Sequence, residues 1–308
     1  MKEIKFTTNY EPVLSFADKD FKRKYEERIG NNSAYRQIVH GETKHLAVCP
    51  RCNNPVAILG VYKKIDVSPH ARHAKDVNIP NIAQYDEYQF LHCPYHRKKA
   101  DYIKEYVPET DEPQRKELYQ IAKEHFDKAI YLLQKETGIY ITIAMAEALA
   151  ENYAMMRAYN YIDATIYNIP WYLLYSFHGF PLYHMIVRKD TTLYKCLLKN
   201  GFKLKESKIK GHDYIENNEG YLLTATNYRY AVDKNDNLKE WLDFSILQPD
   251  DAVTDTLLYI PVSRFSINVD SYYFGNLIQY KGWKKRKNLL EIAKSYVNCP
   301  DSKEIGAC

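Results

Sequence analysis

Residues 45–62, HLAVCPRCNNPVAILGVY, decide how the first third of this chain is read. Two strand-like runs, His45–Val48 and Val56–Tyr62, flank the turn-prone CPRCNNP, so the stretch predicts a strand, a tight turn carrying two cysteines, and a second strand. Further along, Cys93-Pro94-Tyr95-His96 has the same form as Cys49-Pro50-Arg51-Cys52: a cysteine, a proline, one variable residue and a second ligand. Two ligands at i and i+3 on a tight turn bind one ion, and two such turns complete a tetrahedron. Proline after the first cysteine stiffens the turn and lowers the entropy lost on ordering it. The spacing predicts a Cys3His set of Cys49, Cys52, Cys93 and His96 around a structural zinc ion, with His92 as the alternative fourth ligand. Residues 53–92 lie between the half-sites. Closing a loop of that length costs only logarithmically more than a short one, and metal binding on the order of 10 kcal/mol offsets it.

The chain has 308 residues, about two ordinary domains. It is 45% hydrophobic and 27% charged, which excludes a mostly disordered class. The opening MKEIKFTTNYEPVL lacks the apolar core of a signal peptide. The most apolar stretch, IYITIAMAEALA at 139–150, contains Glu147 and is too short to span a bilayer. Six cysteines are no disulfide scaffold, so the expected setting is a reducing cytoplasm without a membrane partner. Cys196, Cys299 and Cys308 have no partner at ligand spacing and read as core or tail thiols.

Beyond the metal module, the texture changes twice. Residues 107–113, VPETDEP, read as a linker or the start of a helix, with Asp111 as a cap and Pro113 in the first turn. A helix follows with an apolar stripe through Leu118, Ile121, Ala122, Ala129, Ile130 and Leu133, ending at Gly138. Further helices are expected at about 141–159 and 171–177. From Leu182 onward, strand-like pieces alternate with turns, hairpin loops are expected at 217–220 and 233–236, and a last helix is expected over about 284–297. The predicted class is α+β: a zinc-ribbon-like module at 1–110, a helical block at about 111–180, then an antiparallel β-rich part at about 181–300 closed by a helix.

Between the two cysteine turns lies Ser68-Pro69-His70-Ala71-Arg72-His73. His70 and His73, with Arg72, fit a second metal, a phosphate contact or acid–base work, and equally fit packing against the module. Residues 48–75, VCPRCNNPVAILGVYKK followed by SPHARHAK, resemble the zinc-binding region of CoiA-like competence proteins, where a CPxC turn and a strand precede a Pro-His-Phe-Ala-His element. Ala71-Arg72 stands where that group has Phe-Ala. The resemblance implies a bacterial protein connected with DNA processing and a nucleic-acid partner.

No P-loop, GxGxxG, GxSxG or HExxH pattern is present, and no catalytic residue is assigned. Asp190 with Glu206-Ser207-Lys208 has the form of a metal-dependent nuclease set. The same tripeptide pattern recurs at Glu3, Asp20, Glu42 and Asp301, near chance for so lysine-rich a chain. Net charge is only +4. Its distribution is uneven: residues 281–290, KGWKKRKNLL, carry five positive charges and no negative one. Lys284, Lys285, Arg286 and Lys287 would sit at the start of the last helix, where the dipole disfavours cations unless an anion shares the site. Trp283 and Tyr280 beside them are placed to stack on bases. Arg97, Lys98 and Lys99 form a second short patch. The leading expectation is a zinc-containing protein that binds DNA or RNA in bacterial DNA processing or defence. A protein–protein adaptor or homo-oligomer with structural zinc, and a metal-dependent nuclease, are the alternatives. Twenty-nine tyrosines fit either a binding surface or a low-GC coding bias.

Overall fold

The computed structural model describes every residue except 10, 40, 63–67, 98, 102–111, 162–163, 217–219, 236, 251–257 and 298–308, and gives the backbone alone for 97, 99–101 and 112–114. The fold is α+β, with antiparallel sheets and a C-terminal helix. The chain divides into two compact units, Met1–Ala100 with Tyr230–Lys239, and Asp101–Arg229 with Glu240–Cys308.

In the first unit, β1 (Glu3–Ile4) pairs with β2 (Leu14–Ser15), and α1 (Phe21–Ile29) follows. The helix buries Phe21, Tyr25 and Ile29, spaced i, i+4, i+8 on one face. Tyr25 donates its hydroxyl to the carbonyl of Leu46 at 2.7 Å, which pins the helix to the sheet. That sheet is a four-stranded antiparallel meander in the order β3 (Arg36–Val39), β4 (Glu42–Val48), β5 (Pro55–Leu59), β6 (His70–His73). Leu46, Ala47, Val48, Val56, Ile58 and Ala71 bury their side chains in one core with Ile4, Phe6 and the cysteines. Two short helices, α2 (Glu87–Leu91) and α3 (Pro94–Arg97), bracket Cys93. β7 (Lys99–Asp101) comes next. Between residues 70 and 97 the chain therefore holds a strand and two short helices.

The second unit carries α4 (Glu112–Glu124), α5 (Phe126–Thr137), α6 (Ile143–Met155), α7 (Ile169–Tyr175) and α8 (Thr192–Lys199). After the sheets come α9 (Ser271–Gln279) and α10 (Lys287–Tyr296). The helix read through to Gly138 is two helices broken at His125. Every residue of α7 is buried. Among the described residues, eleven tyrosines are buried, so a large share of the tyrosine excess is core rather than binding surface. One sheet has the order β10 (Lys203–Glu206), β11 (His212–Glu216), β9 (Ile186–Arg188). The other runs β14 (Tyr259–Val269), β13 (Leu238–Pro249), β12 (Leu222–Val232), with β8 (Phe180–Pro181) also on β12. The β12–β13 hairpin closes where expected: Asp233 accepts the backbone N–H of Asn235 and Asn237 at 2.8 and 3.0 Å. Most of the loop expected at 217–220, together with Asp111, Cys299, Cys308 and Asp301, lies outside the described residues. So does the region around the 110/111 boundary. Among the described residues, no helix is long and apolar enough to cross a membrane.

Candidate metal centre

The knuckle between β4 and β5 is closed by backbone bonds. Cys49 N–H donates to the Asn54 carbonyl at 2.8 Å, and Asn53 N–H to the Cys49 carbonyl at 3.1 Å. Asn53 takes the left-handed conformation, φ 59°, that the turn requires and that asparagine tolerates better than most residues. Cys93 comes from the short α2–α3 connection, its N–H bonded to the Phe90 carbonyl at 3.1 Å. All three cysteines are buried. The fourth donor is His73, the last residue of β6, brought beside the knuckle because His73 pairs with Val56 on β5.

The donor atoms of Cys49, Cys52, His73 and Cys93 lie within 4.8 Å of one another. Cys49 Sγ is 3.7 Å from Cys93 Sγ, and Cys52 Sγ is 3.3 Å from His73 Nε2. A tetrahedral zinc ion with Zn–S bonds of about 2.3 Å separates its sulfurs by about 3.8 Å, so the spacing fits that geometry. Asn54, fully buried, supports the site: its Nδ2 reaches the Cys52 carbonyl at 3.3 Å and Cys52 Sγ at 3.4 Å, while its Oδ1 accepts the Asp86 N–H at 2.7 Å. Phe90 packs edge-on against the His73 ring, centroids 5.2 Å apart. Burial raises all three thiols. In Cys49 the hydrogen bonds from Cys52 and Cys93 and the His73 charge outweigh it, pushing that thiol well below its ordinary value. Cys52 and Cys93, desolvated and beside Cys49, are pushed well above it. A dry site of this kind carries three thiolates together only with a cation among them.

Cys49, Cys52 and Cys93 are thus assembled as the spacing expects, and the histidine is not. His96 stands outside the four-donor cluster with its ring 3.9 Å from that of Phe90, and His92 turns its Nδ1 to the Tyr88 carbonyl at 2.8 Å. The reason is geometric. The second turn delivers one ligand, because Pro94 opens α3 directly after Cys93 and the helical turn carries His96 away. The sheet supplies the other ligand. The sequence signal for His73 was the short His-Ala-Arg-His alternation, legible as a strand only once β5 is known to pair with it. Among its neighbours, His70 bonds through Nδ1 to the Ser68 carbonyl at 2.9 Å, and Arg72 projects to solvent. The side chains of Arg97, Lys98 and Lys99 lie outside the described residues.

The last helix begins at Lys287, not Lys284. The anion expected at its start belongs to the protein itself: buried Asp127 accepts the Trp283 indole N–H at 2.8 Å and the Arg286 backbone N–H at 3.0 Å with one carboxylate oxygen. Trp283 is thereby an anchor rather than a free stacking platform, and its ring meets Tyr131 edge-on at 5.1 Å. Lys284, Lys285, Arg286 and Lys287 are exposed, and among the described residues none forms an ion pair. Asp190 sits in a left-handed turn, φ 65°, and Lys208 lies past the end of β10. Among the described residues, Asp190 and Glu206 join no group of three or more metal-donor side chains. Compared with protein-family models, curated proteins and solved structures, the chain matches none.

Proposed function

We propose that this is a nucleic-acid-binding protein of a reducing compartment whose first unit is organised by a structural Cys3His zinc centre. The observation that carries the zinc assignment is the convergence of the donor atoms of Cys49, Cys52, Cys93 and His73 within 4.8 Å of one another. Four protein ligands leave no open position for a catalytic water, so the role is structural. Three thiolates and one imidazole form the donor set that suits zinc, while carboxylate and carbonyl donors suit the harder divalent ions.

Nucleic-acid binding is supported by the Lys284–Lys287 ledge. Its cations are exposed and, among the described residues, form no ion pair, and the chain beneath them is held by Asp127, so binding a phosphate strand there costs little ordering. The likeness of residues 48–75 to the CoiA-like zinc-binding region supports a place in bacterial DNA processing or defence. The test is a fluorescence-anisotropy titration of single- and double-stranded DNA and RNA at two salt concentrations. The native chain is expected to bind with a steep salt dependence, and a Lys284→Gln, Lys285→Gln, Arg286→Gln, Lys287→Gln variant to bind more weakly with a flatter one. An unchanged slope removes this ledge as the phosphate site, and no binding at low salt replaces the reading with that of a protein–protein adaptor.

A further inference from the structure

The first unit has a second feature that the zinc centre leaves unexplained. A cavity of about 390 Å³ opens on its four-stranded sheet, lined by Lys44, His45, Ala57, Leu59, Arg72 and Lys75 among others. Strand register accounts for the arrangement. Ala57 at the middle of β5 stands opposite Leu46 on β4 and Arg72 on β6. Lys44, two residues before Leu46, returns to the same face as Ala57. A small central residue flanked by long cationic ones leaves a hollow with an apolar floor and a positive rim.

Two further observations point to a ligand. Among the described residues, Lys44 and Arg72 form no ion pair. The contact of Lys75 with Glu87 is 3.9 Å long between side chains more than half exposed, so it neutralises little.

We propose that this cavity binds a nucleoside phosphate, with Lys44 and Arg72 holding the phosphate and the Ala57–Leu59 floor receiving the base. The volume falls in the ordinary range of small-ligand sites, about 300–1,000 Å³. Inorganic phosphate would leave the apolar floor unused, and a purely apolar ligand would leave the cations unpaired. Glu42, also on the rim, disfavours phosphate at its own end and can accept from a base amino group or a ribose hydroxyl. The ligand is either a free mononucleotide or the 5′-phosphorylated end of a strand. The inference takes its ligand class from the nucleic-acid reading above, but it concerns a different surface and does not need Lys284–Lys287.

The test titrates the zinc-loaded full chain with adenosine 5′-monophosphate, with adenosine, and with a short oligothymidylate with and without a 5′-phosphate. Saturable binding of a phosphorylated probe is expected, weakened about tenfold or more in Lys44→Met and Arg72→Met and largely kept in Arg72→Lys. Unchanged zinc content and circular dichroism in these surface variants exclude unfolding as the cause. Binding of the mononucleotide identifies a free nucleotide as ligand; binding of the phosphorylated strand alone identifies a strand end. Equal binding of adenosine, indifference to both substitutions, or no saturation at low salt overturns the proposal. The variant neutralised at Lys284–Lys287 separates the two readings. If it loses strand binding while no probe shows a 5′-phosphate preference, the cavity fails and the general reading stands. If the mononucleotide binds while no strand binds the native chain, the cavity stands and the general reading fails.

Discussion

His73 joins three cysteines from the end of a strand while His96, one helical turn beyond Cys93, stays outside, and single substitutions separate the two. His73→Ala is expected to lower zinc content and to destabilise the first unit by about 3 kcal/mol or more, since a structural zinc site contributes its binding energy to folding. His96→Ala is expected to keep about one zinc per chain and to shift the melting midpoint little. Metal analysis after gel filtration, with a thermal melt of each variant, decides the matter; metal lost only from the His96 variant would return the ligand to the second turn. Asn54 belongs to the same scale. It is an unremarkable residue in the sequence, and its role in orienting Cys52 follows only from complete burial with bonds on both ends of its amide.

At the scale of elements, two helix ends carry the argument. The N-terminus of α10 is capped from α5 by Asp127, whose charge faces the dipole and the four cations above it. Asp127→Asn removes that charge and sets an amide NH2 against either the Lys128 N–H or the Trp283 and Arg286 N–H pair, so a loss of about 2 kcal/mol is expected, with altered Trp283 emission. A variant as stable as the native chain would show that the cap is dispensable. The C-terminus of α5 ends at Gly138, φ 77°, and a methyl group there would come within 2.5 Å of Thr191 Cγ2. Thr191 in turn caps α8 through the Tyr194 N–H at 3.2 Å. Gly138→Ala therefore meets both left-handed strain and a helix cap that cannot retreat, and an unfolding free energy lowered by about 2 kcal/mol in chemical denaturation is expected. The glycine stop was legible as a helix end. Its contact with α8 was not, because α8 itself carries only a short apolar stripe, Leu193 and Leu197, beside strand-like neighbours.

For the whole molecule, pH provides the integrated readout. Burial, helped by the charge of Lys128, holds His125 below its ordinary value of 6.5. The unfolded chain then binds the proton that the folded chain refuses. Stability is complete above 6.5, falls as pH drops below it, and levels off once the folded value is passed. Melting at about pH 7.5 and 5.5 should show the loss in the native chain and a smaller one in His125→Gln; equal slopes would place the sensitivity elsewhere. At this scale the α+β class and the order of a cysteine module, helices and a β-rich part closed by a helix were legible from hydrophobic period and turn residues. The break at His125 was not, since α5 is buried over most of its surface and its periodicity runs on from α4.

The sequence alone is informative about local features: which segments alternate, where turns fall, and that two Cys-Pro turns supply three thiols at ligand spacing. Turn chemistry and periodicity act over a few residues, so they survive without knowledge of the rest of the chain. The non-local features emerge from packing: β6 lays His73 beside the knuckle, Asp127 supplies the anion at α10, and Lys44 and Arg72 face one hollow across Ala57. Each depends on strand register or on burial between segments far apart in the chain, and a one-residue slip in register would turn the side chains on β4 and β6 to the opposite face.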